Sequence, residues 1–467
     1  MSTRLPVVEE PASSLRSDGS RNFVHPADVH GRYTTIRNAV FVVLIGIYVV
    51  LPFVKIGGRP AVFIDIMNRQ FFLFGGVFNA QDFWLVFFIL SGMGLALLMM
   101  TALKGRIWCG YACPHTVFLE GVFRRVERWI EGPRASRIRR NAAAASFDKV
   151  WRKVLKHAIY VVLALLLSHV FVSYFVSLPS LFDMVQRSPA EHPTAFTWVI
   201  VMSAILYFNF SWFREQLCLI ICPYGRLQSA MTDRDTVVIG YDGERGEPRG
   251  KATDPSTGDC IDCKRCVVVC PTGIDIRNGL QMECVGCAAC VDACDEIMDK
   301  VGTPRGLVRY DSLNGLEGRS KRSGRPRIYF YAGIAALWLV GTVFAFAQSS
   351  DFEANILRHQ GAPFSVVDGQ VRNSLRIHLV NKGGDPRTFL IEPVVADTLP
   401  ASDIVYVIPR TRVELDSLSG TYIPILGMIP SDQMEPGLKL RVRIAIEGRD
   451  DTKSTRIVEA PLVGPGS

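Results

Sequence analysis

Eight cysteines between Cys260 and Cys294 constrain this chain more than any other feature. Cys260, Cys263, Cys266 and Cys270 are spaced C-x2-C-x2-C-x3-C, with Pro271 following. Cys284, Cys287, Cys290 and Cys294 repeat the spacing, with Asp295 in the place of the proline. Three thiolates on one tight loop suit three corners of a cubane iron–sulfur cluster. The fourth cysteine lies a turn further on, and in two-cluster ferredoxins it ligates the other cluster. The expected crossing puts Cys260, Cys263, Cys266 and Cys294 on one [4Fe–4S] cluster, and Cys284, Cys287, Cys290 and Cys270 on the second. Zinc fits less well, because zinc sites join two CxxC pairs and need no third ligand per loop. Asp295 makes the exit of the second loop less regular and leaves its ligands alone.

The rest of the chain is too apolar for a soluble enzyme. Of 467 residues, 49% are hydrophobic and only 21% charged, with a mean hydropathy of +0.21. Apolar runs cover residues 39–54, 83–103, 158–178, 196–213 and 329–346. Each is near the ~20 residues that a spanning helix needs. One such run would suit a buried helix; five together predict a membrane bundle. Residues 1–36 read as a polar, mostly disordered tail, and the first apolar run lies too far from the start for a cleavable signal peptide. All twelve cysteines fall between Cys109 and Cys294. A disulfide framework would be spread through a secreted domain, so this crowding predicts metal in a reducing compartment.

Loop charge predicts the orientation. The segment from Lys104 to Lys156 is rich in Lys and Arg, and so is the run Arg319, Lys321, Arg322, Arg325 and Arg327; between the third and fourth runs only Arg187 appears. Positive residues mark the cytoplasmic side. The N-terminus, the 104–156 loop and the 214–327 segment are therefore expected in the cytoplasm, and the C-terminus in the periplasm of a bacterial inner membrane. The expected domains are a tail over 1–36, four spans over 37–225, a ferredoxin-like insert over 226–327, a fifth span over 328–348, and a terminal domain over 350–467. The basic loop beside two spans suits anionic headgroups better than nucleic acid, and no nucleic-acid partner is expected.

Two further cysteine pairs form a weak internal repeat, WCGYACPH at 108–115 and LCLIICPY at 217–224. Each is C-x3-C-P after an even-numbered span. Residues i and i+4 share a helical face, so Cys109 with Cys113, and Cys218 with Cys222, each present two sulfurs, and Pro114 and Pro223 are expected to redirect the helix just past them. Buried packing is the ordinary use of such cysteines. Two pairs at equivalent places favour a metal or redox role, and thiolates suit soft metals such as Cu(I). His115 is a possible helper ligand or a border residue. His169 and Asn209, inside spans, read best as interhelical hydrogen-bonding residues.

Residues 350–467 contain no Cys and no long apolar run. Short alternating segments such as SLRIHLVN and LKLRVRIAIEG, separated by Gly and Pro clusters, predict a β-sandwich. Met428 and Met434 offer thioethers for copper, but edge packing explains them more simply.

With these residues assembled, the chain resembles the CcoG/FixG (RdxA) family of cytochrome c oxidase accessory proteins. The resemblance rests on FIDIMNRQFFLFGG, WCGYACPH, CLIICPYGRLQSA, the two-cluster motif and LVNKGGDPRTFLI, and covers nearly the whole chain. It implies a five-helix bundle with a two-[4Fe–4S] insert and an immunoglobulin-like tail. It also implies reduction of Cu(II) to Cu(I) for assembly of the cbb(3)-type oxidase, in company with its assembly factors or copper chaperones. A copper-free relay between a cytoplasmic donor and quinone or a partner protein is the competing reading, and a third cluster on Cys109, Cys113, Cys218 and Cys222 is a form of it. Metal content separates these readings.

Overall fold

The computed structural model describes residues 23–465, apart from 57–58, 67–69, 80–82, 320–324, 348–351, 359–360, 384, 395–404, 418, 435–436 and 450–453. Residues 1–22 of the expected tail, and Lys321 and Arg322 of the basic run, lie outside the described residues.

Among the described residues five helices are long and apolar enough to cross a membrane. They are α1 (Arg32–Val50), α2 (Phe83–Lys104), α7 (Phe147–Val172), α9 (Pro193–Phe208, continued by a π turn to Phe213) and a last helix, Pro326–Ala347. Between α2 and α7 lie the short helices α3 (Ile107–Tyr111), α4 (Pro114–Phe118), α5 (Arg124–Glu131) and α6 (Arg134–Ala142). The helix α8 (Leu178–Gln186) precedes α9, and α10 (Pro223–Met231) follows it. Apolar side chains stand outward on the long helices, as Leu337 does at 75% exposure, which suits a lipid surround and not water.

Helix α7 begins well before its apolar run. Its first turns are amphipathic and satisfied locally: the Ser146 side chain accepts the Lys149 N–H, and buried Lys156 pairs with Glu131 at 2.8 Å. The stretch before the first span also departs from a disordered tail. Helix α1 starts at Arg32, and residues 23–31 form a strap whose polar groups are taken by folded neighbours. The Ala27 N–H donates to the Val268 carbonyl at 2.9 Å. Arg137 donates to the Pro26 carbonyl at 2.9 Å and Arg265 to the Asp28 carbonyl at 2.8 Å. A polar, aperiodic sequence does not reveal such partners, because they lie far away in the chain.

The cysteine-rich insert is closed by a two-stranded antiparallel ladder, Val238–Tyr241 against Val308–Asp311. Helix Ala289–Val301 packs between its loops, with Ala288, Val291 and Ala293 buried.

The chain divides into two compact units, and the second contains the terminal β-sandwich. One sheet holds Phe352–Arg358, Gln370–Asn381, Gly420–Pro430 and Val405–Val407, with Ser365–Val367 at the side. The other holds Arg412–Leu415, Arg387–Pro393, Lys439–Ile446 and Thr455–Pro461. Strand alternation sends every second side chain inward: Ile377 opposite Ile423, and Leu375 opposite Ile425, meet Phe389, Val442 and Ile444 in one core. Met434 packs on that core, a packing role.

Candidate iron–sulfur and thiol centre

The two cysteine loops share one backbone path. Asp262 and Lys264 in the first, and Gly286 and Ala288 in the second, all have positive φ, between 50° and 69°. These are matching positions, either side of the second cysteine of each motif. Left-handed backbone at Asp, Lys and Ala is costly. Its repetition marks a loop curled round a centre, with amides turned inward as in an anion-binding nest.

Each loop closes on a small cavity. Cys260, Cys263, Cys266 and Cys294 line one, with Met298 and Leu307. Cys270, Cys284, Cys287 and Cys290 line the other, which Cys266 also borders. The fourth cysteine of each motif thus faces the other motif's cavity. Among the described residues, no three His, Cys, Asp or Glu side chains converge on a single-ion site. Four cysteines lining each of two cavities, with the fourth drawn from the other motif, is the ligand set of a pair of cubanes and not of tetrahedral zinc joined by two CxxC pairs. Burial pushes Cys266, Cys284 and Cys294 up to about 12. Such thiols lose their protons readily only to a bound metal, which deprotonates a coordinating sulfur.

The other four cysteines meet nearby. Cys109 has Cys113 and Cys222 as electrostatic neighbours, and Cys218 has Cys113, Cys109 and Cys222. Burial, then Cys113, pushes Cys109 up to about 11, while Arg106 pulls it down. The Cys109 thiol donates to Gln228 Oε1 at 3.5 Å. The pairs do not sit on unbroken helices. Helix α3 ends before Cys113, which caps α4, and Cys222 caps α10. Pro114 and Pro223 start the next helix, at the first position, where a missing N–H costs nothing. The Cys113 N–H donates to Trp108 O at 2.9 Å and the Cys222 N–H to Leu217 O at 2.8 Å. The same i→i−5 closure in both motifs gives the sequence repeat a structural counterpart, and such π turns concentrate at functional sites.

The thiol quartet abuts the second loop of the insert. A Cβ on Gly110 would stand 2.7 Å from the Gly286 carbonyl oxygen and 2.9 Å from Cys287 Cα, so only glycine permits this approach. Cys109 packs on the cluster of Val285, Cys287 and Ala289. Arg106 ties the elements together, donating to the carbonyls of Cys284 at 3.1 Å, of Met282, and of Gly225 in α10 at 3.2 Å. Gly110, Arg106 and Gln228 were not singled out from the sequence. Gly110 and Gly286 each lie between paired cysteines, and Gln228 falls within the CLIICPYGRLQSA stretch; those are the signals the sequence carries.

His115 packs against the π turn that ends α9. Asn209 Nδ2 meets its Nδ1 at 3.1 Å, the ring stacks on Phe210, and its other electrostatic neighbours are Arg214, Arg124, Glu215 and Glu120. Burial lowers it to about 4. Asn209 thus makes the expected contact between helices. His169 does not: its Nδ1 meets the Leu165 carbonyl of its own helix at 2.8 Å, because a helix leaves the i−4 carbonyl within reach of such a ring.

Comparison with known proteins places these features in a family. Residues 213–313 match a 4Fe-4S dicluster domain, residues 85–133 a 4Fe-4S binding domain, and residues 342–465 the IG-like fold at the C-terminus of FixG. Protein RdxA of Cereibacter sphaeroides is 36% identical over 79% of this chain and 81% of its own length. Nitrogen fixation protein FixG of Rhizobium meliloti is 35% identical over 81% of each. A solved FixG-related protein from Vibrio parahaemolyticus aligns over 25% of this chain and 97% of its own, at 12% identity and a TM-score of 0.20. Five membrane-type helices, an iron–sulfur insert and the immunoglobulin-like tail make this chain a member of the FixG/RdxA family, a multi-pass membrane iron–sulfur electron-transfer protein.

Proposed function

We propose that the protein reduces Cu(II) to Cu(I) at Cys109, Cys113, Cys218 and Cys222, for assembly of a cbb(3)-type cytochrome c oxidase. Cys260, Cys263, Cys266 and Cys294 would hold one [4Fe–4S] cluster, and Cys270, Cys284, Cys287 and Cys290 the other; such clusters supply the single electrons that the reduction needs. The observation that carries the reading is the contact of Gly110 with Gly286 and Cys287, which sets the quartet against the second cysteine loop. Copper is the substrate: Cu(II) takes one electron, and soft sulfur favours the Cu(I) product. Gln228 holds the Cys109 thiol in place. Cu(I) then passes to an oxidase assembly factor or a copper chaperone.

The loop charges support a bacterial inner-membrane setting, with the N-terminus and insert in the cytoplasm and the sandwich in the periplasm. The tail, bundle, insert, fifth span and sandwich over 1–36, 37–225, 226–327, 328–348 and 350–467 are the units of this reading.

A second reading has its own support. The match of residues 85–133 to a 4Fe-4S binding domain spans Cys109 and Cys113, and the quartet is not drawn together round a single ion. On this reading the four thiols hold a third cluster, and the protein relays electrons without copper. Iron, copper and acid-labile sulfide measured on one purified sample separate the two. Iron and sulfide for two cubanes, with copper that Cys→Ala at the four positions removes, support the reductase. Iron and sulfide for three cubanes, with no copper, support the relay.

A further inference from the structure

A cavity whose lining contains no cysteine opens where the strap, α1, α5 and the loop of Val269 and Pro271 meet. Arginine dominates its wall. Arg37, Arg124, Arg125, Arg128 and Arg137 line it, against the acids Asp28 and Glu120. Both acids are engaged, Asp28 with Arg128 at 2.9 Å and Glu120 with Arg124. Arg37, Arg124 and Arg137 are only 8%, 6% and 4% exposed. Among the described residues each keeps guanidinium nitrogen without a partner: Nε and Nη1 of Arg37, Nε of Arg124 and Nε of Arg137. Acids behind the wall do not close the balance. Glu127 lies 3.7 Å from Arg137 but is shared with Arg214 at 2.8 Å, and Glu215 serves Arg124. Among the described residues Arg125 donates to the neutral Asn38 amide alone, at 2.7 Å.

A buried guanidinium N–H without an acceptor is unfavourable unless something supplies one. We propose that this cavity binds a phosphate group. Several guanidinium donors come from separate directions, on α1, α5 and α6. A tetrahedral phosphate offers acceptor oxygens on all sides, whereas a planar carboxylate offers them in one plane. Arginine forks match phosphate oxygens in pairs. The group can belong to an anionic phospholipid, since α1 enters its apolar run just past Arg37 and Trp129 stands 77% exposed at the rim, as interfacial tryptophans do. It can equally belong to a soluble phosphate. A ligand there joins membrane helix, strap and insert at one point.

The test uses the delipidated full-length protein in detergent. Inorganic phosphate binding is read by calorimetry; phosphatidylglycerol and phosphate-free diacylglycerol are read by native mass spectrometry. Arg37 also faces the Cys287 sulfur, so the primary variant is Arg125→Glu, with Arg37→Gln second and iron content measured on both. The expected result is binding of phosphatidylglycerol, phosphate or both, weakened at least tenfold by Arg125→Glu at unchanged iron content. Phosphatidylglycerol alone identifies a lipid headgroup; phosphate alone identifies a soluble source. The proposal is overturned if neither probe binds wild type more tightly than Arg125→Glu, or if phosphate does not bind and diacylglycerol binds as well as phosphatidylglycerol.

Discussion

Thr34, in the first turn of the first spanning helix, gives both its backbone N–H and its hydroxyl to the Asp292 carboxylate, each at 2.7 Å. The Tyr33 N–H joins them at 3.1 Å. Asp292 lies between Cys290 and Cys294, so a residue of the cysteine motif caps a membrane helix that has no acidic residue of its own in its first turn. Helix N-termini favour such an anion.

Asp292→Ala should therefore destabilise the junction by about 1–2 kcal/mol. Amide hydrogen exchange checks it. Residues 32–36 should exchange faster in the variant, while the iron content stays near that of wild type. Unchanged exchange would mean that the cap does not hold the helix to the insert.

Gly110→Ala tests the contact on which the proposed delivery of electrons to copper rests. The added methyl meets main-chain atoms, which cannot swing aside as a flexible side chain can. The quartet must move off the second loop, and misplacement on the ångström scale slows reactions by roughly 10- to 100-fold. Stopped-flow Cu(II) reduction by chemically prereduced protein should fall in that range, with the iron–sulfur absorbance unaltered.

The buried charges at the foot of the bundle carry a pH dependence. Glu127 is 1% exposed and meets Arg214 at 2.8 Å, His25 at 3.4 Å and Arg137 at 3.7 Å. Burial alone would raise its carboxyl; Arg214, with His25, Lys156 and Arg137, outweighs that and holds it well below the carboxylate range. A depressed folded value gives stability that is fully present above the unfolded value of about 4.3. That stability is lost as pH falls from there toward the folded value. Glu127→Gln should cost about 3–5 kcal/mol at pH 7 and flatten the acid limb of the unfolding curve. Chemical unfolding in detergent at pH 7 and below pH 4 measures both effects.

The sequence was most legible where one local pattern meets one physical demand. The C-x2-C-x2-C-x3-C spacing, with the crossed pattern of two-cluster ferredoxins, pointed to Cys270 and Cys294 beside the other motif's loop, and each lines the other motif's cavity. Apolar length revealed the five spans, and alternation the sandwich. What stayed hidden is pairing over distance. Nothing around Asp292 says that it caps a helix beginning at Arg32. Nothing in the polar stretch before that helix says that Ala27 and Asp28 bond to the insert. The C-x3-C-P motifs read as continuous helical faces, whereas the chain breaks ahead of Cys113 and Cys222 and turns each proline into a helix start. The arginines of α5 and α6 read as a surface charge run. Two of them, Arg124 and Arg137, are buried against Glu215 and Glu127, and only the fold reveals those partners.

The most direct measurement is the rate of Cu(II) reduction by protein in which Cys109, Cys113, Cys218 and Cys222 are all alanine, compared with wild type at equal iron and sulfide content and with the same supplied reductant. The account predicts that copper binding and sustained reduction are both lost while the insert keeps its clusters. Reduction at the wild-type rate would contradict it, and the copper site would then lie elsewhere.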